Sequence, residues 1–287
     1  MALSARTPTT AATNYFVPTI YAKRVEEAAK DTLVIWDAFD TSWERELVKG
    51  NVLDIAKSNT VTATEVVVGS KGSALNPLNT TGVQLTINQW YEAPVDLDYM
   101  TKKQSHNDPE SIAVTEASYA VSVKMDNTMG ALFSGLGGYS SSAYGTDGQT
   151  LTDDILLYCL QTLMENNVPM DDNLSIILDP SGLVDMMKLD KFISTQYGTV
   201  GPVKNGKIGK SPVYGGMVRV TNNLTAASKG NYAVFAHKKA LAGAAQIEKA
   251  WRKEFEELHQ TRYQSEALWG VIELNDTFGI PFYTRKS

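Results

Sequence analysis

The most constraining feature of the sequence is residues 83–136, where a long alternating segment runs directly into a long segment with few charges. From Val83 to Tyr99 apolar side chains fall on odd positions with polar ones between them, and the one break is at Gln89. A period of two predicts a β-strand. Seventeen residues would span about 55 Å, several times the length of an ordinary strand. We therefore expect one half of this strand to lie outside the main body of the molecule.

A helix is predicted directly after the strand. Asp108 suits the N-cap, Pro109 suits the first turn, and Glu110 suits the positive end of the helix dipole. Apolar residues then recur at spacings of three and four: Val114, Ala117, Val121, Met125, Met129 and Leu132. The opposite face is polar: Ser111, Thr115, Ser118, Ser122 and Asp126. Glycines at 135, 137 and 138 end the pattern, so we predict a helix over 109–136.

The composition excludes several classes of protein. The net charge is −6 at pH 7, and no block of Lys and Arg could line a nucleic-acid groove, so tight direct binding of a polyanion is not expected. The single cysteine, Cys159, lies among leucines and is predicted to be buried and apolar. Neither a signal peptide nor a membrane-spanning stretch is predicted. We expect a protein made and used in a cytoplasm, without membrane contact.

The N-terminal third supplies segments that cannot form a core by themselves. Residues 1–18 are rich in Thr and Ala, and their composition fits an extended arm or a disordered tail equally well. A helical pattern begins at Thr19, and an apolar anchor follows at 33–39. Residues 50–90 describe a ribbon of two strands with a flexible tip. Such a ribbon is marginal alone in water and exposes unpaired edges, so a neighbouring copy is its simplest support.

A separate αβ unit is predicted over 138–246. Its predicted elements are a helix capped by Thr150, a buried strand from Leu174 to Leu178, a short helix ending near Leu189, strands from Met217 to Val220 and from Tyr232 to Ala236, and an Ala-rich helix from Lys238 to Gln246. The chain is predicted to close with strands at 267–274 and 278–283.

Residues 247–258 leave two interpretations open. Ile247, Trp251 and Phe255 recur at a spacing of four, which favours a helix on periodicity alone. The strongly mixed charge of the same segment equally suits an exposed strand.

The nearest match to a phosphate-binding loop runs from Gly201 to Lys207. It has the glycine spacing and the lysine, but Ile208 stands where a Ser or Thr must reach a magnesium ion. A second register ending at Ser211 fails because Lys204 occupies the first glycine position. We therefore interpret residues 198–216 as a surface loop.

The histidines do not define a site. His106, His237 and His259 are far apart, and none has a second ligand at metal-binding spacing, so solvated or loop positions are predicted. A Ser-His-Asp arrangement has no Gly-x-Ser-x-Gly elbow to support it.

The paired carboxylates and the aromatic residues of the long strand also have structural explanations. The Asp pair at 153–154 complements a helix dipole, and the pair at 171–172 fits a turn. Trp90, Tyr91 and Tyr99 lack interleaved basic residues and are interpreted as packing residues. The sequence predicts no catalytic, cofactor-binding or metal-binding residue.

The order of these features resembles the HK97-fold major capsid proteins of tailed bacteriophages over nearly the whole chain. The stretches that carry the resemblance are Pro18 to Tyr21 at the first helix, Gly50 to Ile55 entering the ribbon, Val95 to Asp98 before the long helix, Val168-Pro169 with Ile176 to Pro180, and Phe235 to Leu241.

The resemblance implies an α+β, HK97-like capsid fold with five parts. Residues 1–18 would form the N-terminal arm, 50–90 the E-loop ribbon, and 138–246 an inserted axial (A) domain. The peripheral (P) domain would comprise 19–49, 91–137 with the spine helix at 109–136, and 247–287. The resemblance also favours a strand over 247–263. Some members cross-link covalently through a ribbon lysine, but Lys71 alone does not predict such a bond.

The implied function is structural and not enzymatic. Identical copies would assemble in the host cytoplasm as pentamers and hexamers, which close into the icosahedral capsid of a virion around a double-stranded DNA genome. Scaffolding, portal and cement proteins are the implied partners, and packaged DNA would make weak, non-specific contacts. An encapsulin-like nanocompartment shell with the same fold is the first alternative. A nucleotide hydrolase using the loop at 201–211 is the second.

Overall fold

The computed structural model describes residues 34–46, 50–58, 63, 65, 68, 80–105, 109–189, 203–204, 207–208 and 213–286. Several predicted features lie outside these residues: the N-terminal arm, the helix expected from Thr19, the ribbon tip with Lys71, His106, the N-cap Asp108 and most of the loop at 198–216. The helices are α1 Ile35–Ala38, α2 Tyr99–Gln104, α3 Pro109–Gly130, α4 Asp153–Glu165 and α5 Pro180–Met187. The strands are β1 Val52–Ser58, β2 Thr80–Thr86, β3 Gln89–Asp98, β4 Leu174–Leu178, β5 Val203–Lys204, β6 Lys207–Ile208, β7 Met217–Val220, β8 Gly230–His237, β9 Leu241–Phe255, β10 Gln260–Glu273 and β11 Gly279–Arg285. Short 3-10 helices cover Ser42–Arg45, Ala131–Gly138, Glu256–Leu258 and Asp276–Phe278.

The long alternating segment forms two strands in two different sheets. β2 pairs antiparallel with β1 in the ribbon, whereas β3 pairs with β10. The break falls at Ile87, which is 5 % exposed and whose N–H donates to the carbonyl of Asn51 at 2.8 Å. The prediction of one strand over 83–99 is therefore wrong, because alternation reports which face a residue occupies and not which sheet its strand joins. Tyr99, expected to end the strand, begins α2.

The long helix α3 begins at Pro109 as predicted and is α-helical to Gly130. The 3-10 helix Ala131–Gly138 continues it, and Gly137 and Gly138 end it with φ of +68° and +77°. The buried face consists of Ala113, Ala117, Val121, Met125, Asp126, Met129 and Gly130. Two expectations about this face are wrong: Val114 is 39 % exposed, and Asp126 is buried.

Helix α3 packs on a three-stranded antiparallel sheet with the order β3-β10-β9. Buried Val121 and Met125 of the helix meet Ala267 and Trp269 of β10. The strand interpretation is confirmed for 247–255 and for 260–263, but these residues do not form one extended strand, because β9 and β10 are a hairpin with a turn at 256–259. The helical spacing of residues 247, 251 and 255 was misleading because a spacing of four is also a multiple of two.

The Ala-rich helix expected over 238–246 is wrong. Leu241 begins β9 and pairs with Glu273 of β10. Small residues are required here by packing: a Cβ on Gly243 would lie 2.6 Å from the Met129 methyl, and Ala242 and Ala244 are fully buried. Tertiary packing thus overrides the helix propensity of alanine.

The remaining chain builds a four-stranded sheet with the order β11-β8-β4-β7, in which β4 and β7 run parallel. The strands predicted at 174–178 and 217–220 are confirmed. Helix α4 covers the sheet through Leu156, Cys159 and Leu163, so the predicted burial of Cys159 is also confirmed. The helix begins at Asp153 with Thr152 at its N-cap position, which makes the predicted cap at Thr150 wrong.

Candidate assembly surfaces

The ribbon β1–β2 is anchored to the body at one end. Ile55 and Leu85 are buried there with Ala242, Ala244 and Leu274. Val52 is 42 % exposed, and Asp54, Ala56, Thr81, Gly82 and Gln84 are also exposed. A two-stranded ribbon with so little buried side-chain surface is marginally stable by itself. The described part of the ribbon therefore presents surface that a further molecule can cover.

One buried carboxylate, that of Asp126, holds residues 34–36, where the described part of the chain begins. Asp126 of α3 accepts hydrogen bonds from the backbone N–H groups of Val34 at 3.1 Å, Ile35 at 3.5 Å and Trp36 at 2.9 Å. These donors lie at the start of α1, where backbone N–H groups have no partner within the helix. Burial raises the pKa of Asp126, and the three N–H groups oppose that shift. The contact fixes residues 34–36 to α3.

The outer strands of the three-stranded sheet carry features that oppose further strand pairing. Within the described residues, β10 is the only strand that pairs with β3 or β9, although Ala242 of β9 also forms an isolated bridge with Asp40. Pro94 in β3 has no N–H to donate, and exposed Lys249 and Lys253 lie on β9. Proline and lysine on edge strands hinder edge-to-edge association. Contacts with other molecules are therefore expected through side chains and sheet ends.

One end of this sheet, which we name the sheet tip, comprises residues 98–104 and 255–260. The Tyr99 N–H donates to the His259 carbonyl at 3.0 Å, which joins α2 to the β9–β10 turn. His259 has φ of +52°, so the turn is sharp. Met100 and Leu258 are 68 % and 64 % exposed on these adjoining segments. Each of the two segments thus presents one large apolar side chain to solvent.

A cleft of about 200 Å³ lies between the start of α3 and the sheet. Val114, Ala117, Ala250, Trp251, Arg252, Tyr263, Gln264 and Ser265 line it. Nearby, Glu110 forms an ion pair with Lys102, and this pair lowers the pKa of Glu110. Burial, followed by the hydrogen bond to Glu110, raises the pKa of the Tyr263 phenol. These contacts tie α2 and α3 to the sheet and do not form a nucleophile and base.

The end of the chain is fixed by a second buried carboxylate. The Arg285 Nε donates to Asp185 Oδ2 at 2.7 Å, and the Asp185 side chain is 1 % exposed. Asp179 caps α5 by accepting from the Gly182 N–H at 3.1 Å, and its other oxygen accepts from Asn231 Nδ2 at 3.1 Å. Both carboxylates therefore have structural partners.

Of the residues that the sequence singled out for chemistry, the structure brings His237 and Asp171 together. His259 lies exposed in a turn, as predicted, but His237 is 2 % exposed and its Nε2 lies 3.0 Å from Asp171 Oδ1, so the prediction of a solvated histidine is wrong there. Asp153 lies in the first turn of α4, as predicted. Asp171 and Asp172 lie in the turn before β4, which confirms that interpretation.

Tyr91 and Trp90, which the sequence analysis interpreted as packing residues, lie in different environments. Tyr91 packs on Trp269 with ring centroids 5.3 Å apart, in agreement with the packing interpretation, and Lys124 Nζ lies 4.9 Å from the Tyr91 ring. Trp90 is 71 % exposed, so that interpretation is wrong for Trp90. The cause is the odd–even alternation of β3, which directs Tyr91 towards α3 and Trp90 away from it.

Two classes of site are not found in the described residues. No group of three or more His, Cys, Asp or Glu side chains there is placed to hold a metal ion. Of the helices in the same residues, none combines the length and apolar character needed to span a bilayer. Sequence reasoning missed the structural roles of Asp126 and Asp185, since their partners lie 90 or more positions away in the chain.

The fold, with its ribbon, its long helix on a three-stranded sheet and its second αβ sheet, is similar to that of solved bacteriophage capsid structures. The α+β, HK97-like fold expected from the sequence is confirmed by solved structures that match the chain almost end to end. No family model matches the sequence, and no curated protein matches it.

Three of the solved structures show the extent of the similarity. One from Mycobacterium phage Che8 is 19 % identical, covers 94 % of this chain and 98 % of its own, and has a TM-score of 0.80. The capsid structure of cyanophage P-SCSP1u is 14 % identical over 95 % and 94 % of the two chains, with a TM-score of 0.72. The mature capsid of bacteriophage PhiM1 is 11 % identical over 93 % and 92 %, with a TM-score of 0.69. At these identities the shared property is the fold.

Proposed function

We propose that this chain is a major capsid protein that assembles with copies of itself into the icosahedral shell of a tailed bacteriophage. The observation that carries the proposal is the match of the whole fold to phage capsid structures, which extends over at least nine-tenths of each chain. The sparsely anchored ribbon supports it, because a strand pair that buries so little in its own subunit is stabilised when a neighbour covers it.

The domain assignment forms part of the proposal. Residues 50–90 serve as the E-loop and α3 with its 3-10 extension as the spine helix. The three-stranded sheet belongs to the P domain, and the four-stranded sheet belongs to the A domain. Because β11 pairs with β8 over seven residues, we assign residues 279–285 to the A domain sheet instead of to the P domain. Residues 1–18 serve as the N-terminal arm.

The net charge of the chain supports a shell that encloses DNA and does not bind it tightly. The net charge of −6 gives a shell whose own field does not trap a polyanion, so packaged DNA is held by enclosure and by weak contacts. Heterologous contacts between identical copies close into rings of five and six, which tile the shell. Scaffolding, portal and cement proteins are partners in this proposal, and assembly takes place in the host cytoplasm.

The test is direct. The purified chain is examined by size-exclusion chromatography, sedimentation and negative-stain microscopy, and rings or closed shells are expected. A stable monomer of 31.4 kDa at all concentrations would contradict the proposal. Shells that are recovered with a bound cargo protein and without DNA would favour the nanocompartment alternative.

A matched variant tests the role of the ribbon. Residues 59–79 are replaced by an Asn-Gly turn, which suits a tight hairpin between β1 and β2. The variant is expected to keep the melting temperature of the dissociated subunit, since the anchor at Ile55 and Leu85 is retained. It is expected to lose assembly. Normal shells from this variant would exclude residues 59–79 as an inter-subunit contact that assembly requires.

A further inference from the structure

We propose that His237 makes the junction between the two sheets sensitive to acid. The junction is built around the neutral imidazole ring and loses a contact when the ring gains a proton. β8 of the four-stranded sheet ends at His237, and β9 of the three-stranded sheet begins at Leu241. We name residues 237–241 the sheet junction. The inference does not rest on the proposed shell function, since every contact it uses lies within one subunit.

The sheet junction is hydrogen-bonded to the chain on both of its sides. The Lys238 N–H donates to the Asn173 carbonyl at 2.9 Å. The Ala240 carbonyl accepts from the N–H groups of Leu274 and Asn275 at 2.8 and 3.0 Å. These two residues belong to the segment that leads from β10 to β11, which is the other short connection between the sheets. A displacement of the junction therefore disturbs both connections.

Both nitrogens of the His237 ring have partners. The Lys239 N–H donates to His237 Nδ1 at 3.1 Å, so Nδ1 is an acceptor and carries no proton. The neutral ring then has its proton on Nε2, which lies 3.0 Å from Asp171 Oδ1. Phe278 contacts the ring at a centroid distance of 5.8 Å and an angle of 83°. Because His237 is 2 % exposed, water has little access to the ring.

A further proton on the ring has no acceptor in this arrangement. It has to go to Nδ1, where it would face the Lys239 N–H across 3.1 Å. Two donors would then point at each other, and a buried donor without an acceptor is unfavourable. A half-turn of the ring would place carbon atoms at both contact positions and lose both hydrogen bonds. Protonation therefore breaks the contact with Lys239 in either orientation.

Attraction between the protonated ring and Asp171 opposes this effect. The Asp171 side chain is 46 % exposed, so water screens its charge. Its oxygens also accept from the backbone N–H and the Nδ2 of Asn173 at 3.1 and 2.7 Å. The side-chain hydrogen bond from Asn173 lowers the pKa of Asp171. This carboxylate is therefore charged and hydrogen-bonded whether or not the histidine gains a proton.

The other charged side chains on the elements around the ring have different surroundings. Asp276, on the 3-10 helix that carries Phe278, accepts from the Gly138 N–H at 3.3 Å. Three others are exposed to solvent: Asp172, Lys238 and Lys239. Within the described part of the chain, Asp171 is thus the titratable side chain that bonds the ring. Its screened attraction does not offset a buried donor without an acceptor, so acid weakens the junction.

The experiment measures the unfolding equilibrium constant of the purified full chain in denaturant, below the concentration at which it assembles. The measurement is made at about pH 7.5 and at about pH 5.5, which covers the range in which histidine side chains gain a proton. A histidine that is neutral when folded and gains a proton on unfolding raises the constant by up to about tenfold over this step.

Two variants separate His237 from other titrating groups. His237→Asn keeps an acceptor near the position of Nδ1 and cannot titrate, so its constant is expected to rise about fivefold less than that of the original chain. His259→Asn is the matched control, because His259 is exposed in a turn with φ of +52°, a conformation that asparagine readily adopts. It is expected to keep the pH dependence of the original chain within about twofold.

An equal pH dependence in the original chain and in His237→Asn would refute the proposal. If His237→Asn does not fold, nitrogen NMR of the original chain with labelled histidine decides the question. We expect Nδ1 of His237 to be unprotonated in the native chain at about pH 7.5, and the native signals to be lost as the ring gains a proton. A doubly protonated ring in a chain whose other signals remain native would overturn the proposal.

Discussion

Replacing Asp126 tests how the start of the described chain is fixed to α3. In Asp126→Ala, the N–H groups of Val34 and Trp36 lose acceptors at 3.1 and 2.9 Å, and Ile35, which is fully buried, loses a weaker one at 3.5 Å. A hydrogen bond to a charged group contributes about 1.5–3 kcal/mol, and burial of the carboxylate offsets part of the sum. We therefore expect a loss of about 2–3 kcal/mol in the free energy of unfolding.

The assay is denaturant unfolding of the dissociated subunit, followed by circular dichroism. Thr115→Ala is the matched control on the same helix, because the Thr115 hydroxyl bonds only the Ser111 carbonyl of its own helix, at 2.8 Å, and is exposed. The control is expected to change stability by less than about 0.5 kcal/mol. If Asp126→Ala is no less stable than Thr115→Ala, the three backbone contacts do not anchor the segment.

The pH dependence of the same contact has a defined sign. Burial raises the pKa of Asp126 in the folded chain above its ordinary value of 3.8, so the folded state holds this proton more tightly than the unfolded state. Protonation of Asp126 therefore stabilises the folded state relative to the unfolded state. This stabilisation is complete below pH 3.8 and is lost as the pH rises through the raised pKa of Asp126. The stability advantage over Asp126→Asn should therefore shrink as the pH rises towards neutrality. An advantage that grows with pH would show that the N–H groups outweigh burial.

Three further predictions concern packing, the chain end and the thiol. Gly270→Ala should destabilise the subunit by more than about 2 kcal/mol, because its Cβ would lie 3.0 Å from the Ile87 Cα, whereas Gly82→Ala, with nothing within 4 Å, should be nearly neutral in the same unfolding assay. Arg285→Ala should lower the melting temperature more than Arg262→Ala, because only the first leaves a buried carboxylate without its guanidinium; equal shifts would contradict this. Burial raises the pKa of Cys159 to about 12, so a maleimide should label it only at the rate of unfolding, and rapid labelling of the native subunit would contradict its burial.

Local signals predicted much of the fold. The Pro109 start of α3, the strands at 174–178 and 217–220, and the ribbon follow from caps, β-branched runs and alternation, which depend on residues close in sequence. Most of the buried face of α3 also follows from its spacing, because Ala117, Val121, Met125 and Met129 are buried as predicted, whereas Ala113 is buried in place of Val114. Of the candidate assembly surfaces, the sequence predicted only the ribbon, because a two-stranded ribbon is marginally stable by itself. The exposed pair Met100 and Leu258 had no sequence signal, since exposure depends on what packs nearby.

Local sequence patterns specified the start of α3, the ribbon and the strands at 174–178 and 217–220, and they contained no cluster of residues that suggested catalysis. Tertiary structure decided the break at Ile87, the strand at Leu241 and the burial of Asp126, because each depends on a partner far away in the chain. Asp126 and Val34 are 92 positions apart. Periodicity records which way a side chain points along its own element, whereas packing and hydrogen-bond partners are fixed only when separate elements are brought together.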